Sequence, residues 1–304
     1  MPIADRPTSH DLFPRPSFFQ AIKAYVALTK PRVCTLIALS ALLGMAVAAP
    51  LPPTVVWWVS LLGITLAAQG AAAMNSILER RLDAQMARTW NRPMPKGDVR
   101  IESAWVFAVC LVGVGVGLLW WWANPLSALL TLATALGYAV VYTRWLKPST
   151  PQNIVWGGIA GAMPPLLGAT AVTGGWSQQA FWLFLIIFFW TPPHFWSLAL
   201  YRVEDYARAG IPMLPVVHGR ARTLCSIFAY TVVLVLVSLL PWITKAAGWG
   251  YLGAALFLGM GYLLVSWRLW RHYSDRFARL AFAYSLAYLS GLFLVLFCER
   301  LFLS

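Results

Sequence analysis

Acidic residues are scarce in this sequence: ten Asp and Glu stand against 23 Lys and Arg in 304 positions, and all charged residues together make up 11%. So little charge, beside 60% hydrophobic residues and a mean hydropathy of +0.68, excludes a soluble globule, which needs a polar coat. Cysteine is rarer still. Cys34, Cys110, Cys225 and Cys298 lie scattered through apolar runs without CxxC spacing, which argues against a disulfide framework or a cysteine metal site and for buried free thiols. The leader lacks a continuous apolar core and carries Asp5 and Asp11, so it fits neither a secretory signal nor a mitochondrial transit peptide, and a bacterial inner membrane is the expected location.

Apolar sequence is abundant. Nine runs approach the length needed to cross about 30 Å of hydrocarbon, with cores near 33–49, 54–74, 102–122, 126–143, 153–173, 178–200, 223–244, 248–267 and 280–298. The expected fold is all-α: a polytopic bundle of nine transmembrane helices, with 1–28 as a leader and 29–304 as one membrane domain. Basic residues orient it, because Lys and Arg in short loops stay cytoplasmic. Of the 23, 21 fall before the first run or after the second, fourth, sixth and eighth, leaving Lys245 and Arg300 for the other face. The N-terminus is thus expected in the cytoplasm and the C-terminus in the periplasm. Topology accounts for most of the net charge of +13, so no nucleic acid is implied; anionic lipid or an anionic substrate can use the rest. Polar residues gather in three cytoplasmic loops, 75–101, 144–152 and 202–222.

The scarce acids are placed at helix ends. In NSILERRLD, Asn75, Glu79 and Asp83 are spaced i, i+4, i+8, so a helix continuing past Met74 carries them on one stripe. Oxygen ligands so arranged suit a hard cation such as Mg²⁺, which combines carboxylates with substrate phosphate oxygens. The plainer alternative pairs Glu79 and Asp83 with Arg80, Arg81 and Arg88 on a wet helix end. MARTWNRPMPKG adds Arg88, Arg92 and Lys96, and guanidinium groups suit bidentate phosphate contact. A second acidic pair, Glu204 and Asp205, follows the sixth run. Two acidic clusters facing each other would make a metal-diphosphate pocket.

These strings resemble a known family. The pattern over Asn75, Glu79, Asp83, Met86, Arg88, Thr89, Arg92 and Pro93 is similar to the NxxxDxxxD signature of the UbiA-type intramembrane prenyltransferases, and in fuller form to the haem-farnesylating branch, the haem O synthases. TKPRV (29–33), YTRWLKPSTPQNIVWGGIAGAMPPLLG (142–168), WTPPHFWSLAL (190–200) and DYARAGIPMLPVV (205–217) point the same way. Two positions depart from the pattern: Glu79 stands where Asp is usual, and Thr191 where Gln is usual. The resemblance implies transfer of farnesyl from farnesyl diphosphate to a vinyl group of haem B, with water added, giving haem O. It implies Mg²⁺ held by Asn75, Glu79, Asp83 and Asp205, cationic help from Arg88, Arg92 and Lys147, and a diphosphate contact at Tyr142 and Lys147 with Asn153 orienting it. A haem A synthase or a terminal oxidase is the implied recipient. An aromatic, lipid-shielded cavity suits carbocations, and 17 Trp make one plausible without locating it.

His194 follows Thr191, Pro192 and Pro193 in an apolar run, where an ionisable group is costly. It either ligates haem iron or hydrogen-bonds a propionate, or it is a neutral packing histidine bonded to a neighbour. Gly157, Gly158 and Gly161 are expected to serve close helix packing, and Pro164 and Pro165 to bend the fifth helix. Competing functions are a UbiA-type enzyme acting on a quinone precursor or chlorophyllide, and a membrane transporter. The transporter fits poorly, because its polar groups belong near the bilayer midplane.

Overall fold

The computed structural model describes residues 17–49, 54–86 and 89–302. Helix α1 (Phe18–Leu28) precedes the bundle, within the segment expected to be leader. Ser17 and Gln20 form a reciprocal cap at its start, and Phe18, Phe19, Ile22 and Val26 point outward.

Nine helices among the described residues are long and apolar enough to span a membrane: α2 (Pro31–Ala48), α3 (Val55–Leu78), α4 (Ile101–Trp122), α5 (Pro125–Ser149), α6 (Asn153–Thr173), α7 (Gln178–Leu200), α8 (Gly219–Ile243), α9 (Trp249–Arg271) and α10 (Asp275–Phe302). The sequence places all nine; the ends differ. Helix α3 runs four residues past Met74 and breaks at Glu79, after which Arg80–Asp83 form one further turn. Helix α5 outruns its apolar core, so Lys147 sits on a helix end rather than in a loop. Its extension is π-helical over Gly137–Leu146. The wider turn lets the Thr143 hydroxyl donate to the Tyr138 carbonyl five residues back, at 2.9 Å.

Small residues bring the helices together, as packing in lipid requires. A Cβ on Gly44 would stand 2.0 Å from the Pro165 carbonyl oxygen, and one on Gly168 would stand 2.1 Å from that of Ala41, so α2 and α6 touch backbone to backbone. Gly168→Ala is expected to destabilise the folded protein by about 1–3 kcal/mol through overpacking, read as a lower unfolding temperature in detergent. Gly161→Ala, with open space around the new methyl, should be neutral or mildly stabilising.

One expectation needs correction. The four cysteines are free, but only Cys34 is buried; Cys110, Cys225 and Cys298 are exposed on the protein surface, where an apolar thiol needs no protein shelter. Nine of the 17 tryptophans, which composition could not place, stand exposed toward the two ends of the bundle. Trp120, Trp121, Trp122, Trp176 and Trp249 are exposed at one end of the bundle and Trp90, Trp145, Trp267 and Trp270 at or near the other. That is the distribution of interfacial belts.

The ends of α3, α5 and α7 and the starts of α6, α8 and α10 meet at one end of the bundle. The Tyr273 hydroxyl, which donates to Asp275 Oδ1 at 2.6 Å, lies 3.3 Å from Leu200 O, and the Arg220 guanidinium stands 4.0 Å over the Tyr273 ring. Tyr206, Ile211, Met213 and Leu214 are buried against Trp196 and Leu200, closing that end over α7.

Candidate active site

Asn75, Glu79 and Asp83 follow one another at single turns across the break at Glu79, with Glu79 N donating to Asn75 O at 2.9 Å and Asp83 N to Glu79 O at 2.8 Å, and all three are buried. None uses Arg80 or Arg81 as partner in the bonds observed; Arg80 donates instead to Ile77 O. Each of the three side chains is met by a cation from another segment. Lys147 Nζ lies 2.5 Å from Glu79 Oε1, bridging α5 to the end of α3. Arg92 Nη1 donates to both Asp83 oxygens, at 3.0 and 2.9 Å. Lys30 Nζ donates to Asn75 Oδ1 at 2.5 Å, and the Asn75 amide donates in turn to Thr143 Oγ1 at 2.9 Å. Burial pushes the Lys30 ammonium down to about 8, against the pull of Glu79.

Neighbouring residues complete the cluster. Asn153 Nδ2 donates to Lys147 O at 3.2 Å, which ties α6 to the segment carrying the ammonium, while its Oδ1 is buried with no hydrogen-bond partner. Tyr142 stacks on Tyr138 and packs against Gly157, where an added Cβ would stand 2.5 Å from the ring. Gly158, the next residue, faces Thr191 of α7 instead. Consecutive glycines of α6 therefore separate the Tyr142 side from the His194 helix.

Asp205 is not drawn into this cluster. It pairs with Arg202 at 3.4 Å and Arg208 at 3.7 Å on its own segment. Among the described residues no three His, Cys, Asp or Glu side chains stand close enough to hold one ion, so Asp205 does not close a cage with Glu79 and Asp83. Arg88 lies outside the described residues. Sequence reasoning missed Lys30 and Thr143. Lys30 was visible as the cation of TKPRV; nothing local marked Thr143, whose role follows from the π-helical turn.

His194 is held on three sides. Its ring stacks between Trp190 and Phe282, with centroids 4.2 and 4.5 Å away, and Nδ1 lies 2.6 Å from Ser285 Oγ. The Ser285 Oγ also lies 2.6 Å from Phe282 O, so the hydroxyl that meets His194 is itself anchored to its own helix. The Thr191 hydroxyl is spent on Ile187 O of its own helix.

One amide oxygen and two carboxylates, all buried and each capped by positive charge, form a donor set suited to a hard divalent ion. The model of the UbiA prenyltransferase family matches residues 37–295, and the chain belongs to that family. It is therefore a multi-pass membrane enzyme, a transferase of prenyl groups. It is 52% identical over 279 residues to the protoheme IX farnesyltransferase of Azoarcus sp. (strain BH72), covering 91% of this chain and 93% of that one. With the protoheme IX farnesyltransferase of Aromatoleum aromaticum it shares 53% identity over 281 residues, 92% of each chain. Among solved structures, a digeranylgeranylglyceryl phosphate synthase has the same fold at a TM-score of 0.79 and 17% identity, over 92% of this chain and 99% of that one. A UbiA homologue from Archaeoglobus fulgidus bound to GPP and Mg²⁺ matches at a TM-score of 0.63 and 15% identity, over 90% and 99% of the two chains.

Proposed function

We propose that this chain joins the farnesyl group of farnesyl diphosphate to a vinyl group of haem B and adds water, giving haem O. The observation that carries this is the charge-balanced cluster of Asn75, Glu79 and Asp83 with Lys30, Lys147 and Arg92, in a chain about half identical to named protoheme IX farnesyltransferases. Mg²⁺ bound by Asn75, Glu79 and Asp83 would supply the positive charge that a departing diphosphate needs.

The protein's own groups do the rest. Arg92 and Lys147, with Arg88 and Tyr142, bind diphosphate oxygens; Asn153 keeps Lys147 in place. The bond from the farnesyl C1 to oxygen breaks and its electron pair leaves on the diphosphate. The vinyl π electrons then bond to C1, and the cation left beside the porphyrin takes the oxygen of water, which releases a proton. His194 presents Nε2 to the haem, held by Ser285 and unable to turn between its two aromatic neighbours. The site faces the cytoplasm of a bacterial inner membrane, a placement supported by 21 of 23 basic residues on that side. Residues 29–304 act as one membrane domain, and haem O passes to a haem A synthase or a terminal oxidase.

Expression in a bacterial strain lacking haem O synthesis, followed by haem extraction, chromatography and mass measurement, tests this directly. Haem O should accumulate; haem B alone from well-expressed protein would send attention to quinone precursors. Gly157→Ala, which drives a methyl into the Tyr142 ring, should lower kcat/KM roughly tenfold, since positioning errors of this size are costly. Gly161→Ala should leave it unchanged.

A further inference from the structure

Lys30 is placed at some expense. Its backbone is left-handed, φ +48° and ψ +59°, although it carries a side chain and precedes Pro31, which favours extended backbone at that position. Such a conformation in a non-glycine residue, at the edge of a polar cluster, points to a task for the side chain. Its partner is also unexpected. Among the described residues the ammonium forms no ion pair with a carboxylate, although Glu79 and Asp83 are near; it takes the neutral Asn75 Oδ1. Asn75 cannot turn that oxygen elsewhere, because its amide is committed to Thr143 and Thr143 to Tyr138.

Beside this contact lies a cavity of about 210 Å³, whose lining includes Lys30, Asp83, Asn91 and Arg92. Two of its walls are cationic, and one cation already holds an oxygen that the metal needs. We propose that Lys30 is a diphosphate-binding residue held in reserve on Asn75: when metal takes Asn75 Oδ1, the ammonium is released to the diphosphate in the adjoining cavity, so that metal and diphosphate favour each other's binding. This rests on the assignment of Asn75, Glu79 and Asp83 to a metal-diphosphate site. Each ligand gives the other a vacant partner, which is a coupling between two sites and is reciprocal.

The test uses the full chain in detergent or nanodiscs. Mn²⁺ alone is titrated by electron paramagnetic resonance, and farnesyl thiodiphosphate, which does not react, is then titrated with Mn²⁺ saturating. For Lys30→Met the two affinities should move in opposite directions. Mn²⁺ alone should bind roughly threefold or more tightly, because a competing like charge is gone. The thiodiphosphate should bind roughly tenfold or more weakly, because a charge-assisted contact is lost. Lys30→Arg should keep the thiodiphosphate affinity within a few-fold. A merely structural lysine would weaken both ligands together, and that result, or an unchanged thiodiphosphate affinity, overturns the proposal. If Lys30→Met does not fold, Lys30→Gln keeps a donor for Asn75 without the charge and faces the same two titrations. Asp83→Asn separates the two levels: retained Mn²⁺ binding there would overturn the site assignment itself, whereas lost binding there with wild-type behaviour of Lys30→Met would overturn only the role of Lys30.

Discussion

Asp83→Asn should abolish haem O formation, with kcat/KM falling by about three orders of magnitude or more, as when a group that stabilises developing charge is removed. The side chain keeps its volume and one carbonyl oxygen, so the loss is of charge. Asp83 is buried and accepts both of its hydrogen bonds from one nitrogen of Arg92. Arg92 is more than a third exposed and can rehydrate when its partner is neutralised, so the fold should survive. The checks are haem analysis in the complementation strain, steady-state kinetics on purified protein, and an unfolding temperature within a few degrees of wild type. A variant that folds and still makes haem O at a wild-type rate would remove Asp83 from the site. Titrating the wild type with a chelator should give the same loss of activity, reversed by Mg²⁺.

Lys147→Met should be nearly as damaging to activity and worse for stability. Lys147 is the direct partner of Glu79, at 2.5 Å, and Glu79 is almost wholly buried. Removing the ammonium strands a carboxylate in a low-dielectric site, which costs about 3 kcal/mol even allowing for the partial exposure of the lysine. Glu79→Gln in the same chain removes the stranded charge. The double variant should therefore recover most of the stability lost by Lys147→Met and none of the activity. Unfolding in detergent and single-turnover rates, measured on both single variants and the double, close the cycle. Recovery of activity along with stability would mean that the pair is only structural.

Much of the architecture was legible in one dimension. Nine spans follow from the length of the apolar runs, because lipid demands a fixed span of satisfied backbone whatever the neighbours. The succession of Asn75, Glu79 and Asp83 at single turns follows from their spacing. Helix ends were less legible: α5 outlasts its apolar core through a π-helical turn, and α1 lies in a segment without a membrane-length run. The local pairing of Glu79 and Asp83 with Arg80, Arg81 and Arg88 was a sound default and is not what forms at Arg80 and Arg81.

The sequence by itself determined which residues sit in the membrane, which end of the bundle collects charge, and which oxygen-bearing side chains follow one another at single turns. The tertiary structure decided which cation meets which oxygen. Glu79 and Lys147 are 68 residues apart, and Asn75 and Lys30 are 45 apart, so no periodicity links them. Likewise, no spacing foretold that His194 would be clamped between Trp190 and Phe282, or that Asp205 would stay with its own arginines. Helix-end encounters depend on how closely the helices approach, and contacts such as Gly44 on Pro165 and Gly157 on Tyr142 depend on shape in three dimensions, which an apolar run of any composition leaves open.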